Sequence, residues 1–236
     1  MGKIEPYDLA VKTIQKRLAT EWDIVISICG EEGVGKSHLA IQLGADISKK
    51  DITRFLDENV VYSSSVREFY EKFDRLEPKQ SIVIDEAIHF AYKRFWNSGE
   101  QASFNQYLTT IRKRQKCIIM NMPLFDDFDV YFRNHRIKIW IEVIRRGVAV
   151  MFAADKFAGT DDPWNLHFNR KQFRKFTNYK RVGDRLIDDE LNAYRRYANY
   201  LMTFQFPPLA EDMKEKYLMN CAEIPGKYAR LEYISD

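Results

Sequence analysis

The sequence lacks the features that mark several protein classes. No run of apolar residues in this chain of 236 residues approaches the roughly 20 consecutive apolar positions that a membrane-spanning helix needs. Residues 1–6 lack the apolar stretch of a signal peptide. Its three cysteines are odd in number and widely spaced, and Cys29 and Cys117 lie inside apolar runs, which disfavours a disulfide framework or a zinc site. We therefore expect a cytoplasmic protein without a membrane span.

The chain also has few glycines and prolines and a small net charge. Ten glycines and seven prolines leave little room for long flexible linkers. The 37 Lys and Arg residues nearly balance 34 Asp and Glu residues, and a net charge of +3 does not by itself indicate a nucleic-acid partner. Hydrophobic residues make up 45% and charged residues 30%, as in ordinary globular proteins. The composition predicts one sizeable domain, or one domain with a small appendage.

Strands and helices are predicted to alternate along the first half of the chain. Segments of helical period separate several apolar runs, which favours an α/β fold with a mainly parallel sheet and crossover helices. Residues 137–152 then show two strand patterns around Arg145-Arg146-Gly147, which predicts an antiparallel β-hairpin that extends the sheet. The apolar runs predicted to be buried strands lie at 24–29, 81–84 and 117–122.

The C-terminal third differs in composition from the rest. It is basic and aromatic at first, and then shows a helical pattern around residues 188–204, followed by a break at Pro207-Pro208. We therefore predict a core with an N-terminal helix at residues 1–158. Residues 159–236 are predicted to be a basic, aromatic and mostly helical C-terminal appendage.

Residues 30–37 read GEEGVGKS and match the phosphate-loop pattern G-x-x-x-x-G-K-[ST] at every fixed position. A predicted strand precedes the loop and a predicted helix follows it, whose N-terminus attracts anions. Lys36 is predicted to reach the β- and γ-phosphates, and Ser37 to hold Mg²⁺. A glycine-rich turn with an incidental lysine is the alternative. The predicted nucleotide contacts are Gly30, Glu31, Glu32, Gly33, Val34, Gly35, Lys36, Ser37 and His38.

An acidic pair, Asp85 and Glu86, follows the apolar run 82–84. An aspartate at such a strand end is where P-loop NTPases place a second magnesium contact, through water, so Asp85 is predicted to hold Mg²⁺ in this way. Glu86 is predicted to be the general base that activates the attacking water. The pair favours an ATP-hydrolysing protein with a RecA-like (ASCE) fold, and two solvated carboxylates are the alternative.

Polar and basic residues near the strand at 117–122, which is predicted to lie beside the strand that leads to Asp85, are further candidates. Asn121 is predicted to contact the γ-phosphate or the attacking water, unless it only caps the strand before Pro123. Ring ATPases insert an arginine into the neighbouring subunit's site. Arg133 is accordingly predicted to be catalytic, although an arginine taken singly is more often a solvated surface charge. The arginines considered for this role are Arg112, Arg114, Arg133 and Arg136.

A basic segment with interspersed aromatic residues runs from His167 to Arg181. Phosphates attract cations and bases stack on aromatic rings, so the segment suits nucleic acid. The alternative is that Phe173 and Phe176, three residues apart, form the buried face of an ordinary helix.

Three stretches together resemble the FtsK–HerA superfamily, including Zonular occludens toxin-like ATPases and small viral genome-packaging ATPases. They are the phosphate loop, residues 82–86, and the basic helix end that leads into an apolar strand and a proline at 111–123. The resemblance covers roughly residues 24–155. Asn121 stands where that superfamily usually has Gln, and residues 156–236 match no family that we can name.

The resemblance implies ATP- and Mg²⁺-dependent movement of DNA, with duplex DNA favoured, by a homo-oligomeric ring. Glu86 would activate water and a neighbour's arginine would complete the site. A viral genome-packaging or a plasmid or phage DNA-transfer ATPase fits, with a capsid or membrane-complex partner and, for a viral protein, a location in the host cytoplasm. The alternatives are an AAA+-type helicase loader or remodeller, a Zot-like morphogenesis or secretion ATPase that does not grip DNA, and a small-molecule kinase.

Overall fold

The computed structural model describes residues 4–20, 23–62, 65–91, 99–110, 112–155, 162–177 and 185–222. The strands in this part of the chain are β1 (Glu5–Pro6), β2 (Ile24–Cys29), β3 (Val60–Val61), β4 (Ser81–Ile84), β5 (Cys117–Asn121), β6 (Ile137–Arg145), β7 (Val148–Ala153) and β8 (Tyr200–Gln205). The helices are α1 (Tyr7–Thr20), α2 (Lys36–Ser48), α3 (Ile52–Glu58), α4 (Val66–Asp74), α5 (Ile88–Ala91), α6 (Gly99–Thr110), α7 (Val130–His135), α8 (Leu166–Thr177), α9 (Arg185–Tyr194) and α10 (Glu211–Ala222). Within these described ranges, no helix has both the length and the apolar character needed to cross a membrane.

One eight-stranded sheet has the order β1-β8-β7-β6-β2-β5-β4-β3. Strands β6, β2, β5, β4 and β3 run parallel to one another, and β7 is antiparallel to both β6 and β8. The predictions of a mainly parallel sheet and of a β-hairpin that extends it are confirmed. Because β5 lies between β2 and β4, the carboxyl ends of these three strands are neighbours at one edge of the sheet, where α/β proteins place their ligands.

The central strands are buried because helices cover both faces of the sheet. Every residue of β2 is buried, and alternate side chains enter opposite hydrophobic clusters. Ile26 packs in the cluster that includes residues of α1, α2 and α3. Val25 packs in the cluster that includes residues of α4, α6 and α7. A continuous apolar run is therefore the pattern that this three-layer arrangement requires.

Helix α2 is anchored closely to its neighbours at Gly44. A β-carbon at this position would lie 2.4 Å from the Phe55 ring of α3. The Ser81 hydroxyl, at the start of β4, donates a hydrogen bond of 2.7 Å to the Gly44 carbonyl. These contacts hold the helix that begins at the phosphate loop against β4, the strand that leads to Asp85.

The predicted helix around residues 188–204 is wrong in its second half. Helix α9 ends at Tyr194, and Tyr200–Gln205 forms β8, which pairs with β7 and with β1. Tyr200 and Phe204 are aromatic and Thr203 is β-branched, which are residue types that favour strands, and pairing with two strands satisfies the backbone groups of the segment. Although the division at residue 158 stays a prediction, β8 belongs to the same sheet as the phosphate-loop strand.

Candidate functional site

The phosphate loop connects β2 to α2, as its sequence pattern requires. Gly30 has φ +141° and Gly35 has φ +100°, in the region that favours glycine. A β-carbon on Gly30 would lie 2.5 Å from the Val143 carbonyl oxygen of β6, so the loop also needs glycine for close packing. Gly35 is the residue that precedes the first turn of α2. The backbone therefore bends in the way that places a helix N-terminus at the end of the loop.

Lys36 lies inside the curve of the loop. Its ammonium group donates hydrogen bonds of 2.8 Å to the Gly30 carbonyl and 2.6 Å to the Glu31 carbonyl. Partial burial lowers the pKa of this lysine. A lysine ammonium has three donors, so two bonds leave capacity for a phosphate oxygen. The cation is thus held where a phosphate bound by the loop would meet it.

Asp85 and Asn121 form a buried pair at the ends of β4 and β5. The Asn121 amide donates a hydrogen bond of 3.1 Å to Asp85 Oδ1. Only 7% of Asp85 and 4% of Asn121 is exposed. The Asn121 amide oxygen is buried and has no hydrogen-bond partner within the described residues. An orphaned acceptor beside a buried carboxylate indicates a site that expects a further polar group, such as a water molecule.

The hydroxyl of Tyr217 in α10 lies against Asp85 and near Ser37. That hydroxyl donates a hydrogen bond of 2.6 Å to Asp85 Oδ2 and also interacts with the Ser37 side chain. Serine and carboxylate oxygens are ligands that suit Mg²⁺, which typically adds waters and substrate phosphates to one or two carboxylates. No group of three or more His, Cys, Asp or Glu side chains in the described part of the chain could hold a metal by itself. The oxygen pair therefore fits Mg²⁺ bound together with a phosphate ligand.

Glu86 lies at the same edge of the sheet but differs from Asp85 in burial. It is exposed, whereas its neighbour is buried. The next backbone amide, that of Ala87, donates a hydrogen bond of 3.0 Å to the Asn121 carbonyl, so the chain turns across the end of β5 here. An exposed carboxylate beside the buried pair is accessible to water, and its role as general base stays a prediction.

A cavity of about 410 Å³ adjoins the outer side of the phosphate loop. His38 lies on its wall, and burial together with the cations Lys214 and Arg146 lowers the pKa of this histidine. Arg146, in the turn of the β-hairpin, donates a hydrogen bond of 3.1 Å to the Gly33 carbonyl. Phe206 and Pro208 complete the wall from the segment that follows β8. Among the other predicted contacts, Glu31 and Glu32 are exposed and Val34 is half-buried.

Several residues of this region were missed from sequence. Arg146, Phe206, Lys214 and Tyr217 belong to no local motif, because they come from the hairpin turn and from residues 206–217. Glu142 was also missed, although a carboxylate within the alternating pattern of β6 was a usable signal. It pairs in register with Cys29 at the end of β2, and burial raises its pKa to about 8.

Arg133, the arginine predicted to be catalytic, is engaged within its own chain. Its guanidinium group donates a hydrogen bond of 3.0 Å to Asp126 and lies over the Phe125 ring, 6.0 Å from the centroid. The side chain is 12% exposed, and burial lowers its pKa. A role in a neighbouring subunit's site stays a prediction, and it would require this contact to open.

The other candidate arginines differ in their surroundings. Arg136 is 4% exposed, pairs with Asp23 at 2.5 Å and donates to the Leu108 carbonyl. Arg114 pairs with Asp74 at the surface. The side chain of Arg112 lies outside the described residues. Arg136 therefore joins Asp23 and the end of α6 within the chain, which is a structural role.

Replacement of Arg136 by methionine is expected to lower the free energy of unfolding by about 3 kcal/mol, because it leaves the half-buried Asp23 carboxylate without its cation. Urea denaturation of the variant measures this change. Arg145→Met, at the exposed end of β6, is the control and is expected to stay within about 0.5 kcal/mol of the parent protein. Equal stability of the two variants would contradict the structural role of Arg136.

The phosphate loop between β2 and α2, the intervening strand β5 and the aspartate that follows β4 have the arrangement of a RecA-like P-loop fold. No protein-family model matches this chain. No curated protein matches it either.

Solved structures with partial similarity include a DNA polymerase III gamma subunit-related protein from Thermotoga maritima, which is 11% identical to this chain with a TM-score of 0.43. The match covers 89% of this chain. The chain spans 57% of that protein's length. Another is the genome packaging NTPase of Sulfolobus turreted icosahedral virus 2 in complex with ATP-γS, at 13% identity and a TM-score of 0.35. That match covers 56% of this chain and 92% of the viral one.

Proposed function

We propose that the protein binds ATP with Mg²⁺ and hydrolyses it. The observation that carries this proposal is the meeting of three elements at one edge of the sheet. These are the loop that holds Lys36, the Ser37 hydroxyl at the start of α2, and the buried Asp85–Asn121 pair. Each element is of ordinary composition alone, but together they supply a phosphate cradle, a cation, a metal-binding oxygen pair and a polar strand end.

The residues of the site divide the chemistry between them. Lys36 donates to the phosphate oxygens, and Ser37 with Asp85 would hold Mg²⁺, which when bound neutralises the charge on the β- and γ-phosphates. Glu86 accepts a proton from the attacking water. Asn121 orients that water with the amide oxygen that has no other partner in the described structure.

The nucleoside occupies the cavity beside the loop in this proposal. The cavity adjoins Gly33, Gly35 and His38, and its wall does not include Lys36 or Asp85. A nucleotide whose terminal phosphates lie at Lys36 and Asp85 would therefore extend its base away from them, into this space. The Phe206 ring contributes an apolar surface there.

DNA is the proposed cargo, and α8 carries the argument. Five basic side chains on this helix line a pocket with a volume of about 590 Å³. All five side chains are exposed. The pairs 170–171 and 174–175 are four residues apart, and residue 167 lies three or four residues before the first pair, so these side chains share one face of the helix. Phe173 instead packs against Tyr194 and is partly buried against the core, as the alternative interpretation expected of it, whereas the side chain of Phe176 lies outside the described residues. The basic residues are His167, Arg170, Lys171, Arg174 and Lys175.

A ring of such subunits would couple ATP hydrolysis to DNA movement, in the manner implied by the resemblance to the FtsK–HerA superfamily. Genome packaging, with a capsid as partner, or DNA transfer is the biological setting that we favour. The experiment that tests the proposal is the ATPase rate with and without duplex DNA, measured together with the mass of the protein in solution. An ATPase rate that is the same with and without duplex DNA would favour a morphogenesis or secretion ATPase.

The double variant Lys171→Gln, Arg174→Gln is expected to weaken duplex binding and to leave hydrolysis without DNA unchanged. Each lost phosphate contact reduces the slope of log affinity against log salt by about 0.9, so the slope should fall by roughly 2. Binding measured over a series of salt concentrations gives this slope. The matched control is Lys12→Gln, Lys16→Gln, an exposed pair on α1. Equal slopes in both double variants would remove α8 from the DNA-binding surface.

A further inference from the structure

Helix α10 is fastened to the body of the protein beside the proposed magnesium site. The Lys216 ammonium donates to Asp57 at 2.6 Å and to the Thr53 carbonyl at 3.1 Å. The Asn220 amide donates to the Tyr62 hydroxyl at 3.2 Å. Cys221 is buried in the same hydrophobic cluster as α2 and α3. The helix therefore has a defined seat, and Tyr217 points from it toward Asp85.

The Tyr217 hydroxyl makes a strong contact there. At 2.6 Å from Asp85 Oδ2, it forms a short bond between a hydroxyl donor and a carboxylate. The contact therefore takes up one oxygen of the carboxylate that is proposed to bind Mg²⁺.

The same hydroxyl stands where a metal ion would have to bind. Mg²⁺ needs ligand oxygens at about 2.0–2.1 Å in near-octahedral geometry, with waters in its remaining positions. A metal ion or a metal-bound water held by Asp85 Oδ2 on this side would overlap the Tyr217 oxygen, which lies 2.6 Å from that carboxylate oxygen. Occupancy by the hydroxyl and occupancy by the metal exclude each other.

We propose that α10 is an autoinhibitory latch: Tyr217 occupies the magnesium position, and binding of Mg²⁺ with a nucleotide requires its hydroxyl to leave Asp85. The identity of this position rests on the proposed function. The fastening suits a latch that opens, because the Lys216–Asp57 ion pair is partly exposed and such pairs contribute little stability. Residues 206–214 also line the nucleoside cavity, so a bound nucleotide would touch the segment that leads into α10.

The test is Tyr217→Phe, with the affinity for a fluorescent, slowly hydrolysed ATP analogue measured in Mg²⁺ and again in EDTA. Loss of the hydroxyl removes the bond that Mg²⁺ must break, so the affinity in Mg²⁺ should rise roughly tenfold or more. The affinity in EDTA should be the same in both proteins, since no metal then competes with the hydroxyl. The matched control is Tyr131→Phe, at an exposed position on α7, which should change neither value.

A second variant keeps the test decisive if Tyr217→Phe does not fold. Lys216→Ala removes contacts that attach α10 to α3 without changing a residue of the site. The affinity for the ATP analogue should rise about threefold in Mg²⁺ and should not change in EDTA. If the parent protein binds the analogue in Mg²⁺ and neither variant binds it more tightly, the latch is wrong while the proposed function stands. If the parent and both variants bind no nucleotide under either condition, the proposed function fails and the latch fails with it.

Discussion

Replacement of Lys36 by alanine is expected to weaken ATP binding by roughly 10²-fold or more. The ammonium is held inside the loop by the Gly30 and Glu31 carbonyls, so a bound phosphate would meet it at short range. Hydrogen bonds between charged groups each contribute about 1.5–3 kcal/mol, and the lysine serves more than one phosphate oxygen. Direct binding of an ATP analogue, measured by calorimetry or fluorescence, gives the change.

The control for this experiment is Lys16→Ala, which removes an exposed lysine of α1 at a distance from the loop. It is expected to leave the affinity unchanged. Unchanged affinity in Lys36→Ala as well would contradict the assignment of residues 30–37 as a phosphate loop. Thermal unfolding of both variants shows whether either change acts through stability.

Replacement of Glu86 by glutamine is expected to leave ATP binding intact and to slow hydrolysis by about 10²-fold or more. Glutamine retains the size and polarity of the side chain but cannot accept the proton of the attacking water. Glu86 is exposed at the end of β4, so the substitution is not expected to disturb the buried pair of Asp85 and Asn121. Single-turnover hydrolysis with saturating protein separates the chemical step from binding.

Glu71→Gln, on the exposed face of α4, is the control and should hydrolyse ATP at the parent rate. If Glu86→Gln also does so, the general base is another group. The carboxylate to examine next would be Glu142, which lies within β6 and pairs in register with Cys29, the last residue of the phosphate-loop strand. Its pKa of about 8 is raised by burial, so the protonated form would dominate near neutral pH and the group would gain basic capacity as the pH rises.

The parts of the fold that could be predicted from sequence are those specified by local pattern. The phosphate loop has a fixed spacing, and its strand and helix are read from adjacent residues. The hairpin of β6 and β7 was predicted because its strands adjoin their own turn. The strand β8 was not predicted, because its aromatic and polar residues also fit a helix, and its partners β7 and β1 are distant in sequence.

The site divides along the same line. Asp85 and Asn121 were predicted to lie on neighbouring strands, and their hydrogen bond spans 36 positions of the chain. Tyr217 lies 132 positions from Asp85, in a helix whose sequence contains no motif that points to a metal site. Patterns of residue type and spacing therefore identified the phosphate loop, the acidic strand end and the polar strand end. The tertiary structure alone decided which residue contacts Asp85 and which arginines form ion pairs within the chain. These contacts join segments that are far apart in sequence, so shape and burial determine the partners.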